Sequence, residues 1–222
     1  MPDVPRVHSL DIRLKVGESI HITPFSDLHI DDSLCDIAAL KRVANERRDL
    51  ENHYALAIGD IFNLVVPTDL KRYRPSVQPP GIAGRDDWVN ATVGYTTDIL
   101  KSLNLKWLLI SPGNHEDEFT KRTGVDLTTL LARDLGAFRG GYSGVIDINV
   151  KLREKYSTSA KFRLAYHHGA WGGRTNKGYS GAWPWFSQID GWNVAVYGHN
   201  HACRVDPEIR RKPYRPSSSD CV

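Results

Sequence analysis

The chain has 222 residues, carries a formal charge of +3 at pH 7, and is 41% hydrophobic and 25% charged. These proportions exclude a disordered, collagen-like or coiled-coil chain, and the length suffices for one domain that buries about 70% of its unfolded surface. No apolar run approaches the ~20 residues that cross a bilayer, Met1 to Leu10 lacks the apolar stretch of a signal peptide, and Cys35, Cys203 and Cys221 form no CxxC pair. The last point argues against a disulfide scaffold and a thiolate zinc site, and a reducing, cytoplasmic setting is expected.

Strands and helices alternate along the chain, which predicts an α/β architecture around a sheet core. His8 to Val16 and Glu18 to Phe25 alternate polar and apolar residues, as half-buried strands do. Asp32 or Ser33 is expected to cap a helix running to about Leu50, with Ile37, Leu40 and Val43 on one face. Tyr54 to Ile58 reads as a strand, Trp88 to Leu103 as a helix and Lys106 to Ile110 as a buried strand. Asp117 to Leu135 reads as one helix stopped by Gly136. Gly144 to Val150, Phe162 to His167 and Asn193 to Tyr197 are further expected strands.

Val65 to Arg85, with four prolines and two glycines, reads as a long loop, and Gly169 to Trp185, rich in glycine and tryptophan, as a second. From Pro207 the chain is basic and then serine-rich, which predicts a tail. The small net charge does not point to nucleic acid, because basic groups act through clustering rather than totals.

Five of the expected strands run into residues that can bind metal. These are Asp27-Leu28-His29, Gly59-Asp60, Gly113-Asn114-His115-Glu116, His167-His168-Gly169, and Gly198-His199-Asn200-His201. Sites in open α/β sheets form at the carboxyl ends of strands, so these ends are expected to converge. In extended backbone, residues two apart point the same way, which pairs Asp27 with His29 and His199 with His201. Oxygen and nitrogen donors of this kind suit Mn²⁺, Fe or Zn²⁺ rather than Cu(I) or an iron–sulfur cluster. Seven donors exceed one ion's need, and two ions ~3.5–4 Å apart sharing a carboxylate would use them.

The order D-x-H, G-D, G-N-H-E, H-G, G-H-x-H, spanning Asp27 to His201, closely resembles the calcineurin-like metallophosphoesterase family, in particular its small stand-alone bacterial or phage members. The resemblance implies a four-layer αββα sandwich over residues 1–206, followed by a tail over 207–222. It implies two divalent metals, manganese first, with iron or zinc as alternatives. One would be held by Asp27, His29, Asp60 and His201, the other by Asp60, Asn114, His168 and His199. His115 would then stand beside the phosphate as a catalytic residue, protonating the leaving group or stabilising the pentavalent state, while a metal-bridged hydroxide would attack. The implied activity is that of a phosphodiesterase, with DNA or RNA among the possible substrates and no membrane partner. A phosphomonoesterase and a non-catalytic binding module are the alternatives. Protein phosphatases of the family usually carry GDxxDRG, whereas this chain reads Gly-Asp-Ile-Phe-Asn-Leu-Val.

Several residues carry two readings. His167 competes with His168, but neighbours on a strand face opposite ways, and the family's ligand immediately precedes glycine. Glu116 and Asp117 read as helix N-terminal acids or, for Glu116, as a support for the site. His8, His21 and His53 read as structural. Trp171, Trp183, Trp185 and Trp192 read as packing or as a stacking surface. Arg174 and Lys177, and Lys71, Arg72 and Arg74, read as phosphate contacts or solvated loop charges. Two departures from the family stand out. Asn63 replaces an acidic residue that often orients the catalytic histidine. Only 21 residues follow His201, so the second sheet is either minimal or cut short.

Overall fold

The computed structural model describes residues 6–65, 75–153, 159–169 and 184–199. Its strands are β1 (Arg6–Leu14), β2 (His21–Phe25), β3 (His53–Ile58), β4 (Trp107–Ser111), β5 (Phe138–Arg139), β6 (Ser143–Leu152), β7 (Ser159–His167) and β8 (Val194–Tyr197). Its helices are α1 (Ile37–Arg47), α2 (Trp88–Ser102), α3 (Asn114–Thr123) and α4 (Leu127–Leu135).

The strands form two four-stranded sheets, ordered β2-β3-β4-β5 and β1-β6-β7-β8. The first is parallel throughout, and in the second only β6 and β7 run antiparallel. Every residue of β3 and β4 is buried, which is the pattern of central strands covered on both faces. The alternation of β3 sorts its side chains between two cores. Ala55 and Ala57 meet the helices in a cluster with Leu40, Leu100, Ile110 and Leu131. Tyr54, Leu56 and Ile58 face the other sheet, packing with Ile146, Ile148, Leu164 and Tyr166. The molecule is therefore a mixed α/β protein in which helices cover one face of a parallel sheet and a second sheet covers the other. On the outer face of that second sheet lie Phe186, Trp185, Ile189 and Trp192, against Ala165 and Tyr197.

Two helix expectations need correction. α1 starts at Ile37, capped by Asp36, whose side chain accepts from Ala39 N–H at 2.8 Å. Asp32 instead accepts from Leu34 N–H in a turn before the helix. Ala44, rather than Val43, completes the buried face with Leu40. The single helix expected over Asp117 to Leu135 is two helices. Gly124 ends α3 in the left-handed region at φ 75°, and Asp126 opens α4 by accepting from Thr129 N–H. α3 also begins three residues earlier than expected, so Asn114 and His115 occupy its first turn. The two-residue strand β5 carries no alternation that a sequence reading could detect.

Within the first expected loop, Pro75–Val77 forms a short 3-10 turn and Ile82 is fully buried in the helix-side core. Lys71, Arg72 and Arg74 of that loop, Trp171, Trp183, Arg174 and Lys177 of the second, and the tail over 207–222 lie outside the described residues. No helix among the described residues is long and apolar enough to cross a membrane.

Candidate metal centre

The loops that follow β2, β3, β4, β7 and β8 meet at one end of the sheets. Direct hydrogen bonds hold them together. Asp27 N–H donates to Gly59 O at 3.1 Å and His29 N–H to Asp60 O at 3.0 Å, which ties the β2 loop to the β3 loop. His199 N–H donates to both carboxylate oxygens of Asp27 at 2.9 and 3.1 Å, which ties β8 of one sheet to β2 of the other. Asp27 also accepts from Ser26 Oγ at 2.5 Å.

Seven non-glycine residues have positive φ among the described residues, and four of them are Asp27 (56°), His29 (45°), Asp60 (49°) and His199 (72°). The expectation that Asp27 and His29 share a direction through extended backbone is therefore replaced. Both sit in left-handed backbone, and the inter-loop hydrogen bonds hold them there. Conformations of this kind concentrate where side chains must be aimed.

Asp60 is at the centre and 2% exposed. Its Oδ1 accepts from His115 N–H at 3.0 Å, while its Oδ2 lies 3.2 Å from His168 Nε2 and 3.9 Å from His115 Nε2. Two sets of donor atoms, each within 4.8 Å of one another, share it: His29, Asp60 and His115, and Asp60, His168 and His199. The Asn114 amide oxygen joins the second set, 3.2 Å from His168 Nε2 and 2.8 Å from His199 Nδ1. His115 was expected beside the metals rather than among their donors. The structure places its ring edge-on to His29 at 4.9 Å, within reach of Asp60. His201 lies outside the described residues.

Tautomers follow from the outer partners of the rings. His168 is fully buried and its Nδ1 lies 2.9 Å from Ile58 O, a carbonyl that only accepts. Nδ1 therefore carries a proton, and Nε2, which faces the acceptor oxygens of Asp60 and Asn114, is the nitrogen that a metal would take in place of its proton. Burial works against the His168 cation, but the adjoining Asp60 carboxylate outweighs it and raises the pKa. The reciprocal contact lowers that of Asp60 against its own burial. His167, on the opposite face of β7, accepts from Gly169 N–H through Nδ1 at 2.7 Å and packs on Trp185 at 4.6 Å. Burial pushes its pKa down to about 4, so it is a neutral packing residue, and His168 takes the inward position.

The supporting residues were only partly legible beforehand. Glu116 is fully buried, and its carboxylate accepts from the backbone N–H groups of Asp60 (3.1 Å), Phe62 (2.9 Å) and Gly113 (2.7 Å). It thus clamps the β3 loop to the β4 loop as well as capping α3. Burial and the nearby Asp60 push it up to about 7. Asp31 is buried and accepts from Asn63 N–H and from Leu64 N–H, the latter at 3.0 Å. Burial pushes its carboxyl up, and these two N–H groups pull against that. Tyr142 donates to Gly169 O at 2.5 Å and stands edge-on to His168. The doublet Asp31-Asp32 beside His29 was the visible signal for Asp31, whereas Tyr142 had none. Of the tryptophans, Trp185 and Trp192 are packed around Phe186, with Trp192 Nε1 donating to Phe186 O. Of the remaining histidines, His53 bonds Thr23 and His8 stacks on Phe138.

Glycine is required where the loops cross. A Cβ on Gly59, which has φ 78°, would lie 2.6 Å from His168 Cγ and 2.7 Å from Gly113 Cα. On Gly113 it would lie 2.8 Å from Asp60 Cγ. A carboxylate shared between two sets, converging imidazole nitrogens and an amide oxygen form a donor set that fits a pair of borderline divalent ions. Compared with family models, curated proteins and solved structures, the chain finds no match.

Proposed function

We propose that this chain is a dinuclear metal-dependent phosphoesterase that hydrolyses phosphodiesters, nucleic acid among them. The observation that carries this reading is the shared position of buried Asp60 between two sets of donors. The order of the motifs agrees with it, and the two packed sheets are compatible with the αββα sandwich of calcineurin-like metallophosphoesterases. Asp27, His29, Asp60 and His201 would hold one ion, and Asp60, Asn114, His168 and His199 the other. When bound, such a pair supplies Lewis-acid activation of water and neutralises charge on the phosphoryl oxygens.

The chain's own residues prepare that chemistry. Ile58 O fixes His168 and Asn63 O fixes His115, each by accepting from Nδ1. His115 Nε2 is left facing the centre, where the ring, once protonated there, can pass that proton to the departing oxygen. Glu116 and the Asp27–His199 contact keep loops from both sheets in register, so the donors are assembled before substrate arrives.

The test is hydrolysis by the Mn²⁺-loaded protein of a bis-aryl phosphate diester against the aryl monoester. Diester turnover is expected, with a loss of at least about 10³-fold in Asp60→Asn and about 10²-fold in His115→Ala. Monoester turnover alone would move the assignment to a phosphatase. Two bound metals without turnover of either substrate would make the chain a binding module. A nucleic-acid substrate would further show affinity that falls steeply with salt.

A further inference from the structure

His115 needs a partner at Nδ1, and the residue in the position where the family often has an acid is Asn63. The Asn63 side chain does not supply that partner. Its Nδ2 donates to Asp32 Oδ2 at 2.8 Å. The partner is the main-chain carbonyl of Asn63, 2.5 Å from His115 Nδ1. That carbonyl belongs to the same peptide unit as Leu64 N–H, and Leu64 N–H donates to Asp31 Oδ2 at 3.0 Å. The other Asp31 oxygen takes Asn63 N–H. A carboxylate at one end of a peptide unit thus faces a histidine at the other.

We propose that Asp31 is the positioning residue for His115, acting through the Asn63–Leu64 peptide in place of a direct carboxylate contact. An anion accepting from the peptide N–H polarises the unit and strengthens its carbonyl as an acceptor. Asp31 also holds the turn in place. Leu64 has φ 52°, a conformation that a leucine does not adopt without support, and its N–H is one of the two groups Asp31 binds. The carbonyl direction, and with it the His115 ring, depends on that support. Asp31 is 5% exposed, so the contact is shielded from water. The consequence for His115 is a fixed Nδ1–H tautomer and a single ring orientation, with Nε2 toward the centre. This deepens the phosphoesterase reading above, but the orientation of His115 is a property of the protein alone.

The deciding measurement is therefore made first without metal or substrate. Long-range ¹H–¹⁵N spectra of the ¹⁵N-histidine-labelled protein read the tautomer of the neutral His115 ring and the exchange of its Nδ1 proton. Wild type is expected as the Nδ1–H tautomer with a slowly exchanging, downfield proton. Asp31→Asn must turn an NH₂ toward one of the two backbone donors, and it is expected to give mixed tautomers and a rapidly exchanging proton. Asn63→Ala keeps the peptide and is expected to retain the wild-type His115 signals. In the Mn²⁺-loaded protein, Asp31→Asn is expected to lower kcat for the diester about 10²-fold while KM stays within about twofold. An Nε2–H tautomer in wild type overturns the proposal even if Asp31→Asn does not fold. So does a folded Asp31→Asn protein with unchanged His115 signals. If the spectra behave as expected but no ester is cleaved, the phosphoesterase reading fails and the relay stands.

Discussion

The two ends of the β2-β3-β4 sheet use the same backbone conformation for different purposes. At the amino end, Asn52 and Asn104 have φ 52° and 53° and border a cleft of about 290 Å³ with Arg48, His53, Tyr54 and Lys106. Asn104 is exposed, and its N–H donates to Lys101 O just after α2. Asparagine tolerates left-handed backbone, and here it turns the chain, with Asn52 O also accepting from His21 N–H at 3.1 Å. At the carboxyl end the same φ belongs to Asp27, His29, Asp60 and His199, and each is held by hydrogen bonds from a neighbouring loop. One end spends left-handed backbone on reversal, and the other uses it to aim donors at a common point. Positive φ alone thus says little. Its coincidence with metal-competent side chains that converge on one point marks the site.

The hardest way to break this contrast is at Gly59. A methyl group there meets both the His168 ring and the Gly113 backbone, and its φ of 78° adds strain. Gly59→Ala is expected to cost about 4 kcal/mol or more and to abolish tight Mn²⁺ binding, measured by thermal unfolding and calorimetry. Unchanged metal affinity would show that the loops cross less tightly than the structure has them.

His167 gives the next largest effect, through pH. The unfolded chain protonates this histidine as pH falls below about 6.5, whereas the folded site resists until about 4. Between these values acid favours the unfolded state, so the metal-free protein loses up to about 3 kcal/mol as pH drops from 6.5 to 4 on this account. Glu116, raised to about 7, works in the opposite sense, because its folded form binds the proton first. The reading is therefore the difference between proteins. The stability of His167→Gln is expected to fall less than that of wild type across this interval. Parallel profiles would mean that His167 is already protonated, or solvated, in the fold.

This contrast also shows what a sequence can carry. The carboxyl-end site was legible because it rests on residue types, glycine next to aspartate or histidine, repeated after apolar runs. α2 was legible within one residue at its end, because its apolar positions keep helical period. The break between α3 and α4 was missed although Gly124 and Asp126 both signal it, because helical periodicity continues across them. The Asn63 carbonyl could not be read at all. A main-chain oxygen is present at every residue, and its direction depends on a turn fixed by Asp31, over thirty positions earlier. Direct side-chain ligands leave a mark in composition, and main-chain partners do not.

Glu116 tests this division at smaller magnitude. Both of its oxygens accept backbone N–H groups, so Glu116→Gln must oppose an amide NH₂ to at least one of them. A cost of about 2 kcal/mol is expected, with weaker Mn²⁺ binding because Asp60 and Gly113, the residue before Asn114, lose their common anchor. A variant as stable as wild type at pH 8 would show that the clamp contributes little.

The smallest effect is expected at the amino end, and it is the sharpest control. Asn104→Gly keeps the turn, since glycine adopts φ near 53° without penalty, and it adds freedom to the unfolded chain. The two changes oppose each other, so stability should shift by less than about 1 kcal/mol. Mn²⁺ affinity should not change, because Asn104 lies at the end of the sheet away from the donors. At Asp60 the equivalent change would remove the shared carboxylate along with the conformation. If Asn104→Gly also weakened metal binding, the two ends of β3 and β4 would be coupled through the strands, and left-handed backbone at the amino end would be part of the site's support rather than a plain turn.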